Sequence, residues 1–226
     1  MNQCCETDDK KQSNNKKREE PFQIKSDALL LVEGKDEYQT FQALLKEMNI
    51  NGVQIYDVEG NNNFAKKIPR LFKSAGFQKI RKLAFIRDAE QNEAKSAFDS
   101  ICHVLECSNI FDHVPRNIGK VEEIGSFKVG IFIMPNNKDK GMLETLCLQS
   151  IKDMHCYKEM QAYIECLKKF HENTSSFNLA KAEIQVYLAS KVPIRNSLGL
   201  GALAGHWEFK DSAFDEIKLF LKDLFE

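Results

Sequence analysis

A chain of 226 residues with 42% hydrophobic and 29% charged residues has the composition of an ordinary globular protein, which excludes fibrous and wholly disordered classes. Its 32 Lys and Arg against 33 Asp and Glu leave a formal net charge of −1. That excludes the overt basic excess of an electrostatic nucleic-acid binder and leaves room only for a local basic groove.

No apolar run approaches the length that spans a bilayer, and the first residues carry no apolar signal core. The expectation is a cytoplasmic protein with reduced thiols and no membrane contact. The seven cysteines are irregularly spaced. Cys102 and Cys107 form the closest pair outside the N-terminal tail, and no second pair completes a zinc pattern. His155 and Cys156, near Cys147 and Cys166, read as scattered residues.

Residues 1–22 are polar and charge-mixed, so they cannot bury enough apolar surface to offset the entropy of ordering. They are expected to form a disordered tail, followed by a single domain over 23–226. "ALLLVE" from Ala28 is a short continuous apolar run, as in a strand buried on both faces of a parallel sheet. "DEYQTFQALLKEMNI" places Tyr38, Phe41, Leu44, Leu45 and Met48 on one helical stripe. "VQIYDVEG" predicts a second strand ended by Gly60. In the next segment Asn61 to Asn63 can cap a helix, with Pro69 in or before its first turn and Gly76 ending it.

"LAFI" predicts a third strand running into Asp88 and Glu90, and "NEAKSAFDSICHVLEC" a third helix. An irregular stretch with Pro115, Gly119 and Gly125 leads to the strand "FKVGIFIMP". A polar loop then enters a helix near Gly141. From about residue 152 the chain predicts further amphipathic helices, and "GLGALAG" (Gly199 to Gly205) a turn and tight packing site. The fold expectation is α/β: a mostly parallel four-stranded sheet flanked by helices, with additional C-terminal helices on it.

In an open parallel sheet, ligand sites form beyond the C-terminal strand ends. Glu33 leaves the first strand, Asp88 and Glu90 the third, and Glu144 follows the fourth just inside its helix. Asp57 and Glu59 leave the second, where strand alternation can turn Asp57 outward. Clustered acids repel one another unless a cation intervenes, and hard divalent cations take carboxylate oxygens. Two such ions can clamp the attacking and leaving oxygens of a phosphodiester displacement. Acids at strand ends are also common for the plain reason that those ends face water. A flavodoxin-type phosphate loop fits poorly, since Glu33 and Asp36 in "EGKDEY" would repel phosphate.

These residues resemble the Toprim domain of topoisomerases, bacterial primases and OLD-type nucleases. "VEG" at Val32 to Gly34 matches the family's acid-glycine after its first strand. "IRDAE" resembles its Asp-x-Asp pair, with Glu90 in place of the second aspartate. With "VEGNNNF", "VGIFIMPNNKDKGMLETLCL" and the closing "GALAGHWEFKDSAFDEIKLFLKDLF", the chain is most similar to a bacterial group of uncharacterised Toprim-like proteins. The resemblance implies a Mg2+- or Mn2+-dependent nuclease or phosphodiester-transfer protein acting on nucleic acid.

It implies Glu33 as general acid/base or metal-adjacent acid, Asp88 as catalytic metal ligand, and Glu90 and Glu144 as further ligands. Lys35, Arg87, Lys138 and Lys140 would contact phosphate oxygens. Gly34, Gly60 and Gly141 would make the turns. Kinship with the wider superfamily implies an ABC-type ATPase partner, as in anti-phage systems, with an effector held silent until that partner releases it. The alternative is a non-catalytic Toprim-like module that binds a partner protein or a nucleotide, favoured by the near-neutral charge and by Glu90.

Overall fold

The computed structural model describes residues 22–169 and 178–226. Five strands form one sheet: β1 (Ala28–Val32), β2 (Val53–Asp57), β3 (Lys82–Asp88), β4 (Val121–Ile124) and β5 (Phe127–Met134), in the order β2-β1-β3-β5-β4. β1 pairs in parallel with β2 and β3, and β3 with β5; β4 runs antiparallel to β5. The sheet therefore has one strand more than the four expected. β4 lies in the stretch read as irregular, because "VEEI" has only two apolar residues and sits at a sheet edge, where half-exposed side chains suffice. Gly125, at φ +60°, turns this strand into β5.

Side-chain alternation divides the core in two. Leu30, Val32, Ala84, Ile86, Phe132 and Met134 pack on one face with α1 (Lys35–Glu47), α4 (Leu143–Gln149), α6 (Leu179–Ala189), α7 (Leu198–Leu203) and α8 (Asp215–Phe225). Leu29, Leu31, Leu83, Phe85, Ile131 and Ile133 pack on the other with α2 (Phe64–Phe72) and α3 (Ala94–Ser108). That is why β1 is buried at all five positions. α5 (Tyr157–Lys168) packs on α6.

The connections follow from handedness. β1-α1-β2 moves one way across the sheet and β2-α2-β3 moves back past β1. Right-handed crossovers in opposite directions place α1 and α2 on opposite faces. Between the exits of β1 and β3 the chain direction reverses, and a crevice opens there.

Local features differ from the sequence reading in three places. Pro69 lies inside α2, and Asn61–Asn63 form a 3-10 turn ahead of it. "GLGAL" is helical as α7, although its glycines were read as a turn; the tight packing expected of it is present. The expected tail over residues 1–21 lies outside the described residues, while Phe22 stacks edge-on against Tyr56 with ring centroids 4.5 Å apart. No helix among the described residues is long and apolar enough to cross a membrane. The five described cysteines are all free.

Candidate active site

The crevice between the β1 and β3 exits is a cleft of ≈ 610 Å³. Six carboxylates line it: Glu33, Asp36, Glu37, Asp88, Glu90 and Glu144. Glu33 follows β1 directly. Its carbonyl accepts from Gly60 N (2.7 Å), which ties the exits of β1 and β2 together. Its Oε2 faces β3, 3.5 Å from the Asp88 amide.

Gly34 then caps α1 with φ −155°, extended backbone that any residue adopts. The reason for glycine is room, since a Cβ there would stand 3.1 Å from Glu37 Oε2. Asp36 and Glu37 occupy the first turn of α1, where the helix dipole favours acids. Asp36 Oδ1 accepts from Gly199 N (3.0 Å), which docks α7 onto α1.

Asp88 ends β3 and is buried. Its Oδ1 accepts from Leu143 N (3.1 Å), the first residue of α4. Two residues on, Glu90 and Gly141 exchange both backbone bonds, at 2.7 and 2.9 Å. Glu90 has φ +55° and Gly141 φ +138°. This clip holds the entrance of α4 against the exit of β3 and brings Glu144 beside Asp88. The Glu90 carboxylate accepts from Asn61 Nδ2 (3.0 Å) on the rim.

Acids outnumber cations in the cleft, six carboxylates to Lys35 and Lys181. Burial, then the charges of Glu37, Glu33 and Glu144, raises Asp88 well above the usual aspartate range. Burial, followed by Glu144, Glu33 and Asp36, pushes Glu37 up to about 7. Glu33 and Glu144 are raised, again chiefly by burial. Lys181 of α6 faces them, its Nζ 3.9 Å from Glu144 Oε1.

Of the expected phosphate-binding residues, Lys35 lines the cleft and Lys140 lines an adjoining one of ≈ 500 Å³ that shares Glu90, Met142 and Asn178. Lys138 is exposed on the loop after β5 and lines neither. Arg87 points to the other side of the sheet, donating to Ser100 Oγ (2.9 Å) with its guanidinium over the Phe64 ring. Gly60, at φ +107°, makes the turn after β2. Asp57 and Glu59 stay outside the cleft: Asp57 Oδ1 accepts from Glu59 N, and Glu59 pairs with Lys67 at 2.7 Å.

Glu37 and Lys181 are the residues that the sequence reading missed. Glu37 stands in the first turn of α1, close in sequence to Glu33, a placement that could have flagged it. Lys181 of α6, and Asn196 and Ser197 just before α7, reach the cleft from beyond residue 152 and carry no local signal.

The donor set fits a hard divalent cation in kind: carboxylate oxygens, partly buried, raising one another's pKa in the absence of a countercharge. Among the described residues no three His, Cys, Asp or Glu side chains converge tightly enough to form a preformed metal centre. The acids surround the cleft instead of closing on one point.

A family model described as a protein of unknown function (DUF3226) matches residues 27–226. No curated protein matches the chain. Among solved structures, the C-terminal region of the Burkholderia pseudomallei OLD protein is similar at 14% identity and a TM-score of 0.47, over 90% of this chain and 100% of that one. The C-terminal region of the Xanthomonas campestris pv. campestris OLD protein is similar at 16% identity and a TM-score of 0.45, over 88% and 92%. Likeness of this order establishes no shared chemistry.

Proposed function

The chain belongs to the DUF3226 family, and from the geometry of its own cleft we propose that it is a metal-dependent Toprim-type enzyme that cleaves or transfers nucleic-acid phosphodiesters. One observation carries this reading. Glu33, Glu37, Asp88 and Glu144 come from separate elements and line one cleft at the switch point of a parallel sheet, each raised by burial and by neighbouring carboxylates.

Glu37, Asp88 and Glu144 would hold Mg2+ or Mn2+, which would neutralise charge on the attacked phosphate. Glu90, already engaged by Asn61, would sit at the edge of the set. Lys181 and Lys35 would orient phosphate oxygens at the mouth. Glu33, whose Oε2 faces the Asp88 amide across the two strand exits, is the acid placed for proton transfer beside that metal. The two contiguous clefts suit a polymer better than a mononucleotide.

The test is cleavage of supercoiled plasmid DNA and of single-stranded RNA with Mg2+ or Mn2+, alone and with any ATPase partner. Asp88→Asn and Glu33→Gln should lose more than the roughly 10–100-fold that outer-shell changes cost. Mg2+ should also raise the thermal midpoint of the wild type at pH 8 by mass action, and not that of Asp88→Asn. Intact nucleic acid under all these conditions, together with no thermal response to either metal, would remove the proposal. A midpoint that rises without cleavage would leave a metal-binding, non-catalytic module.

A further inference from the structure

We infer that the loop 190–197, between α6 and α7, is a wedge that enters between the bases of a nucleic-acid strand lying in the acidic cleft. Its tip carries Val192, 92% exposed, and Ile194, 68% exposed, on either side of the exposed Pro193. Val192 is the most exposed large hydrophobic among the described residues, and Ile194 stands two residues from it. The tip is flanked by cations, Lys191 before it and the exposed Arg195 after it. Lys191 Nζ rests 4.3 Å over the Tyr187 ring, which fixes its charge beside the tip.

The base of the loop is tied down. His206 Nε2 donates to the Pro193 carbonyl (2.9 Å), and Tyr187 Oη donates to the carbonyl of His206 (2.6 Å). Gln185 Nε2 donates to the Asn196 carbonyl (3.3 Å), and Lys191 N to the carbonyl of Leu188 (3.2 Å). The tip is therefore presented on an anchored base. Asn196 and Ser197, which follow it directly, line the cleft itself. The apolar tip stands at the rim of the site.

Apolar side chains inserted between base steps unstack them, and adjacent Lys and Arg hold the phosphates on either side. The order cation, aliphatic, proline, aliphatic, cation in "KVPIR" supplies both functions within five residues. An anionic lipid surface is the poorer occupant, since two aliphatic side chains bury little area. The inference rests on the nucleic-acid reading above. It adds that the substrate is engaged where bases can be parted: at a nick, a mismatch, a junction or a single-stranded stretch.

The experiment uses the full chain in Ca2+, with a nicked DNA duplex and an RNA hairpin, each carrying one 2-aminopurine and a fluorescein end label. Binding is read by anisotropy and unstacking by 2-aminopurine fluorescence. The wild type should raise that fluorescence on binding. Val192→Ser with Ile194→Ser, both at the solvent-exposed tip, should bind within a few-fold and keep the wild-type melting temperature but lose the rise.

Lys191→Ala with Arg195→Ala should keep the rise at saturation. Its plot of log affinity against log salt should be about 1.8 units shallower, the loss of two phosphate contacts at about 0.9 each. Binding without any fluorescence rise, or a rise that survives in the serine variant, overturns the wedge and leaves the functional proposal standing. Failure to bind either nucleic acid overturns both. Binding to phosphatidylcholine–phosphatidylglycerol vesicles that needs Val192 and Ile194, with no unstacking, assigns the loop to lipid and also overturns the wedge.

Discussion

Glu37 shows what burying like charges does to a single side chain. In the unfolded chain its carboxyl titrates near 4.5, and in the folded protein near 7, chiefly through burial and then through Glu144 and Glu33. Between these values the folded state holds a proton that the unfolded state has released. The favourable contribution is complete below pH 4.5 and is lost as pH rises through 7. Asp88, Glu33 and Glu144 are raised in the same direction, so the metal-free protein should gain stability as pH falls from 8 towards 5. Glu37→Gln should flatten this dependence and raise the melting temperature at pH 8, by about 2–4 °C for each kcal/mol relieved. Thermal melts of both proteins at pH 5, 6, 7 and 8 check it; parallel curves would mean that Glu37 is solvated and ordinary.

At the scale of elements, the contact between α1 and α7 depends on one missing side chain. A Cβ at Gly199 would lie 2.7 Å from Gln39 Cβ and 2.8 Å from the Asp36 carbonyl, inside any normal contact. Gly199→Ala should cost about 1–3 kcal/mol, the range for overpacking, and should loosen the Asp36–Gly199 bond. Urea unfolding measures the cost. An unchanged midpoint would show that α7 moves aside freely.

The same helix shows where sequence reasoning stopped. Glycines at 199, 201 and 205 mark breaks by propensity, and only the close approach of α1 and Leu188 explains two of them inside a helix. β4 escaped for a related reason, because as an edge strand it needs only pairing with β5. β1, β3 and β5 were legible because strands buried on both faces are apolar throughout.

For the whole molecule, the sheet order decides which acids meet. Glu33, Asp88, Glu90 and Glu144 could be picked out because each follows a strand exit in one dimension. That they share a cleft depends on β1 and β3 being neighbours, and that Arg87 does not depends on its pointing to the opposite face. Lys181 and the rim at Asn196 arrive through long-range packing of α6 and α7, which local periodicity does not encode.

The C-terminal helix completes this architecture. Phe220 of α8 packs on Gly130 and on Phe132 at 5.4 Å, and Lys82 and Lys128 reach the carbonyls of Phe225 and Asp223 at its C-terminal end. Phe220→Ala should destabilise the fold by about 3–5 kcal/mol. Denaturant titration checks this, and a loss below 1 kcal/mol would show that α8 is a peripheral addition.

The place of β1 between β2 and β3 also bears on how this chain can be made and divided. Its first partner, β2, follows within the next 25 residues (Ala28 to Val53), while its second, β3, begins only at Lys82. Until β3 arrives, the most apolar strand of the protein has an open edge, a template for pairing with another chain. A fragment that stops short of β3 should therefore associate with itself instead of folding. The carboxylate cleft forms only after that edge has closed, which makes it a marker of completed folding as well as a site.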